Sequence, residues 1–181
     1  MPFNIFKLFK KRSIVQQTVV LESHDFVELT GMKNIVETII KKHKALGIDV
    51  NPPATVAAIA RFEQQIGFPL PEDFRTFYSI CNGFGCTEDI FNMTPLEEIS
   101  ICDKKDALQG FYFAEYMINC DMWGLRLTAE GKYEIFNGSY PRIAMTSSLE
   151  EFLNRFLLGN VFEKGGLYEW QDELGIGLAK K

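Results

Sequence analysis

Apolar residues recur along this chain with two different periods, and the change of period divides it. From Met32 to Leu46, Ile35, Val36, Ile39, Ile40 and His43 fall at intervals of three and four, with Lys41, Lys42 and Lys44 on the other side. That spacing predicts an amphipathic helix, stopped by Gly47. Asn51-Pro52-Pro53 offers an N-cap residue followed by prolines, which a first helical turn tolerates because its N–H groups have no intrahelical partner. Val56, Ile59, Phe62 and Ile66 follow as an apolar stripe, so a second helix is expected from 53 to 66, ended by Gly67. After the extended Phe68-Pro69-Leu70-Pro71, Glu72 and Asp73 stand where a helix N-terminus favours negative charge. A third helix is expected there, burying Phe74, Phe77, Tyr78 and Cys81, with Asn82-Gly83 supplying the left-handed residue that closes it.

From 84 to 145 the helical period is gone. Short aromatic and β-branched runs predict strands at Ile90 to Met93, Phe111 to Ile118, Met122 to Leu127, Tyr133 to Phe136 and Arg142 to Met145. Asn119 to Asp121, Glu130-Gly131 and Asn137-Gly138 have the chemistry of the turns between them. Ser148-Leu149-Glu150-Glu151 matches a capping box, followed by the stripe Leu149, Phe152, Leu153, Phe156 and Leu157 of a closing helix that Gly159-Asn160 ends. The β-branched stretch from 14 to 30 is expected to contain a strand. Helices first, strands in the middle and one closing helix predict an α+β fold, a largely antiparallel sheet with helices packed on one face or edge. The chain divides into an N-terminal segment 1–30, a domain 31–160 and an irregular C-terminal arm 161–181 whose Leu167, Tyr168 and Trp170 are expected to pack.

Composition adds the core. At 181 residues, 46% hydrophobic with 16 phenylalanines, the chain is sized for one aromatic-rich globular domain. The net charge of −5 is uneven, because the first twelve residues hold Lys7, Lys10, Lys11 and Arg12 and no acid, leaving −9 on the remainder. An acidic body disfavours nucleic acid and attracts a basic protein. MPFNIFKLFKKR is too short to span a bilayer and lacks the apolar run of a signal peptide. Lying on an anionic membrane surface is an alternative for it, but the favoured reading docks Phe3, Phe6 and Phe9 on the domain and leaves the lysines in water.

Candidate chemistry is sparse. Cys81, Cys86, Cys102 and Cys120 form no CxxC pair, and only His24 and His43 could supplement them, so neither a zinc site nor any other metal or cofactor is expected. The thiols are expected to be reduced and mostly buried, which fits a cytoplasmic protein. No G-x-S-x-G, H-E-x-x-H or phosphate-binding glycine loop is present, and the chain is expected not to be an enzyme. Glu63 and Asn82 are expected to serve the fold, by accepting backbone N–H groups and by ending a helix.

The stretch from 59 to 85, IARFEQQIGFPLPEDFRTFYSICNGFG, carries an ordered set of residues: Ile59, Phe62, Glu63, Gly67, Leu70, Pro71, Phe74, Asn82 and Gly83. This set resembles the signature of the SMI1/KNR4 or SUKH superfamily, an apolar-x-x-Phe-Glu helix, a glycine, Leu-Pro-x-x-aromatic and Asn-Gly. Met93 to Ile99, Tyr133 to Ala144 and Ser147 to Leu157 are similar to later elements of that family, so the likeness runs over residues 33 to 158. It departs at Asn119-Cys120-Asp121-Met122-Trp123-Gly124, where many members have Asp-Gly-x-Gly.

The resemblance implies a SUKH-like fold and a role in binding another protein. Bacterial members act widely as immunity proteins that neutralise toxin domains, many of them nucleases, and yeast members are regulatory scaffolds. A basic toxin domain is the implied partner, with Glu88, Asp89, Glu97, Glu98 and Asp103 as candidate contacts and Trp123 as an exposed aromatic anchor. The alternatives are a scaffold of the same fold, and a small hydrolase or ligand-binding domain with its site beside Cys81, Asn82 and Cys86.

Overall fold

The computed structural model describes residues 31–43, 48–86, 90–102 and 109–177. The expected strand within 14 to 30, the basic start of the chain, His24 and the Gly47 stop lie outside them. In chain order the elements are α1 (Met32–His43), β1 (Ile48–Val50), α2 (Val56–Ile66), α3 (Glu72–Ile80), β2 (Phe84–Cys86), β3 (Phe91–Met93), β4 (Ser100–Ile101) and β5 (Gly110–Tyr116). β6 (Asp121–Leu127), β7 (Tyr133–Asn137), β8 (Ala144–Thr146), α4 (Leu149–Gly159) and α5 (Leu167–Glu173) complete them. The strands form one antiparallel sheet in the order β1-β2-β3-β5-β6-β7-β8, an α+β architecture. β4 continues where β3 leaves off, along the same edge of β5.

The helices cover one face of this sheet. Phe62 of α2 meets Phe111 edge-on at 5.1 Å, Phe74 of α3 meets Phe113 at 5.0 Å, and Phe156 of α4 stacks on Phe91 at 4.6 Å. α1 lies outside this layer against α3 and α4. Between Tyr112 and Ala114 the β5–β6 register slips by one residue, so Phe113 has no partner on β6. Such a bulge puts two successive side chains on one face. Phe113 and Ala114 are both buried, and the row Met93, Ala114, Trp123 faces the helices beside Phe111, Leu125 and Ile135.

Local chemistry sets the helix ends, with corrections to the expected ones. α2 starts at Val56 because Thr55 caps it, its Oγ1 accepting from Ala58 N–H at 3.1 Å. Asn51 is instead held beside β2: its N–H donates to the Gly83 carbonyl and its Nδ2 to that of Asn82. Val56, expected in the apolar stripe, is 86% exposed because the helix begins with it, away from the packed turns. α3 ends at an extended Cys81 and not on a left-handed residue. In α4, Ser148 Oγ accepts from Glu151 N–H at 3.1 Å, while the return half of the capping box runs through Thr146, whose hydroxyl accepts from Ser148 N–H and donates to Glu151. Lys42 is half-buried and donates to the Leu157 carbonyl, so it does not belong to a solvated face.

Three short strands, β1, β2 and β4, were not expected from the sequence. The segment read as an irregular arm contains α5, and Val161, Leu167, Trp170 and Ile176 from it are buried in the common core. Arg155 of α4 ties it down, with its guanidinium 5.3 Å from the Trp170 ring and 3.2 Å from Glu173.

Candidate functional site

The signature residues meet at the junction of α2, α3 and the sheet. Ile59, Phe62, Leu70 and Phe74 are buried. Gly67 ends α2 at φ 82°, which allows the chain to turn back so that Leu70 N–H reaches Glu63 Oε1 at 2.9 Å. The same oxygen takes the Arg75 guanidinium. Asn82 bridges two loops: Leu96 N–H donates to its Oδ1 at 3.0 Å and its Nδ2 donates to Glu97 at 2.8 Å. Gly83 has φ 83°, and a Cβ there would stand 2.2 Å from the Met93 carbonyl oxygen. These groups position the 94–99 turn, and with it Glu97 and Glu98.

The two glutamates diverge. Glu97 points towards α2, where it lines a small hollow with Arg61, Phe62 and Gln65. Glu98 faces the side of the sheet that carries none of the described helices. Pairing places Asn92, Glu115 and Met122 in one row on that open face, with Tyr112, Gly124 and Phe136 in the next. Two adjoining hollows, of about 310 and 180 Å³, run across it and share Thr94, Glu98 and Glu115. Asp49 lines the larger one; among the described residues no lysine, arginine or histidine lines either. Glu115 is held at the centre, its Oε1 accepting from Asn92 Nδ2 at 3.1 Å and its Oε2 from Asn119 N–H at 3.0 Å.

The far half of the open face is closed on itself. Arg126 donates from Nε and Nη2 to Glu134, at 3.0 and 2.8 Å, and lies 5.4 Å from the Phe136 ring. Phe136 is fully buried although it faces away from the helices, because its ring lies across Gly124, where a Cβ would come within 2.6 Å of it.

The expected Trp123 anchor is overturned. Trp123 has no exposed surface; it sits among Phe91, Phe152 and Tyr168, with ring centroids 5.8 to 6.1 Å away. Its place in β6 falls in the row that faces the helices, and the alternation of β6 puts the buried Leu125 on the same side. Glu88, Asp89 and Asp103 lie outside the described residues. Asp49 and Glu115 were missed: Asp49 sits in a strand too short to show a pattern, and Glu115 in a run whose alternation the bulge breaks.

The family model described as SMI1 / KNR4 family (SUKH-1) matches residues 53–155. The chain belongs to this family. No curated protein matches it. The match takes in the whole signature, Glu98 and Glu115, and leaves Asp49 and α5 outside.

For this SUKH-1 domain, Cys81 makes a poor nucleophile for the alternative site beside it. Cys81 is buried, and burial pushes its thiol from 9.0 up to about 12, only partly offset by a hydrogen bond from the Gly83 backbone. A thiol so raised stays protonated and is a poor nucleophile. The Cys86 side chain lies outside the described residues. Among the described residues, no group of three or more His, Cys, Asp or Glu side chains could hold a metal ion. No described helix is long and apolar enough to cross a membrane. A larger hollow of about 450 Å³, between Phe68–Pro71 and the β6–β7 turn, has Lys132 as the single charged side chain among the described residues that line it.

Proposed function

We propose that the chain is a non-catalytic protein-binding domain, acting in the cytoplasm as an immunity protein that neutralises a basic toxin domain. The supporting observation is the acidic half of the open face, where Asp49, Glu98 and Glu115 converge with no cation among the described residues that line it. A toxin that acts on nucleic acid needs a basic cleft, and an acidic concave surface both covers such a cleft and speeds the encounter. SUKH-1 membership supports the same role.

Co-expression with the product of the neighbouring reading frame tests it, scored by growth rescue and co-purification. Rescue and a complex that dissociates with rising salt are expected. A neighbour that is harmless alone and forms no complex defeats the immunity role. Charge reversal of Asp49 and Glu98 to lysine is expected to abolish the complex at low salt; unchanged binding excludes this face.

A further inference from the structure

We infer that the turn joining β5 to β6 is an apolar anchor of the same interface, so that the partner offers an apolar recess next to its basic side chains. The inference rests on the open face being the binding surface, and it specifies the chemistry of what binds there. The turn borders the smaller acidic hollow directly: its Asn119 lines that hollow, and Asn119 N–H is held by Glu115.

Its side chains are the opposite of what the position calls for. Met117, Ile118 and Asn119 have φ of 50°, 52° and 63°, three successive left-handed residues of which only asparagine suits that conformation. Ile90, whose carbonyl accepts from Met117 N–H at 3.1 Å, has φ 50° as well. A β-branched residue in this region is an outlier. Ile118 is nonetheless 79% exposed, Met117 45% and Ile90 46%, so their side chains give the fold little burial in return for the strained backbone. Apolar side chains displayed beside a carboxylate groove fit a partner with both characters. A highly charged partner lacking apolar surface would gain nothing from them.

Two synthetic probes of equal charge separate the components: an amphipathic leucine–lysine peptide and a glycine–lysine peptide. The full chain is expected to bind the leucine–lysine peptide about tenfold tighter, as burial of one aliphatic side chain allows. Ile118→Asn, which suits the left-handed backbone, is expected to erase that preference while the thermal midpoint holds or rises. Glu98→Gln should weaken both peptides alike. Equal binding of the two peptides, or a preference that survives Ile118→Asn, overturns the anchor and leaves the acidic face standing. Failure of both peptides to bind overturns the face itself, and the anchor with it.

Discussion

The two faces of the sheet are made by the same strands and differ in what they can lose. The covered face carries Phe91, Phe111, Phe113, Trp123, Leu125 and Ile135, all fully buried under α2, α3 and α4. The open face carries Asn92, Tyr112, Glu115, Met122, Arg126 and Glu134, all partly exposed, beside the buried Phe136 of its far half. Burial of large aromatic area stabilises the first, and outside Phe136 the second contributes less to folding. A surface that holds less of the fold together is free to gather like charges and strained backbone, and the acidic groove and the left-handed turn both lie there.

The largest test of this contrast is Phe156→Ala. It removes a ring stacked on Phe91 and 5.8 Å from Phe84, and should cost about 3–5 kcal/mol in urea unfolding. Met122→Ala on the open face should cost less than about 1 kcal/mol by the same measurement. Equal losses would mean that the open face is part of the core.

Asp73 tests the seam between helices and sheet. Its Oδ2 accepts from Leu149 N–H at 2.8 Å and from the Tyr133 hydroxyl, tying the starts of α3 and α4 to β7. Asp73→Ala should cost about 2 kcal/mol by leaving two donors without a partner. The loss should be smaller when measured in a Tyr133→Phe background, since one of the donors is then already gone.

The covered face also predicts a pH dependence. Cys81 is neutral in the folded chain up to about 12, whereas an unfolded thiol ionises near its ordinary 9.0. Its contribution to stability is therefore complete below pH 9.0 and is lost as the pH rises towards 12. Burial raises Tyr78 and Tyr133 as well, and acts in the same direction. Denaturation midpoints should fall through the alkaline range, with a shallower fall in Cys81→Ala. In the native protein a thiol reagent should modify exposed Cys120 before Cys81 or Cys102.

The smallest effect on stability belongs to the groove. Glu98→Gln should change the unfolding free energy by less than about 0.5 kcal/mol while weakening partner binding at low salt. A large destabilisation would show that Glu98 serves the fold, and would remove the contrast between the two faces at that position.

What the sequence by itself determined is what local chemistry governs. The stripes of α3 and α4, the Ser148 cap and the runs of β5, β6 and β7 were legible because spacing, capping and β-propensity act within a few residues. The SUKH-1 signature was legible for the same reason, being two helices, a linker and a stop contiguous in the chain. The candidate site was legible only in Glu98. β1, β2 and β4 are two or three residues long and become strands through pairing with distant partners, so no local period announces them. The side on which Glu115 falls was decided by the bulge at Phe113, and that of Trp123 by which face of β6 the helices cover. Alternation along a strand separates two faces without saying which one the helices will cover. Asp49, Glu98 and Glu115 come from three separate parts of the chain, and only the tertiary structure could bring them onto the one face that the described helices leave open.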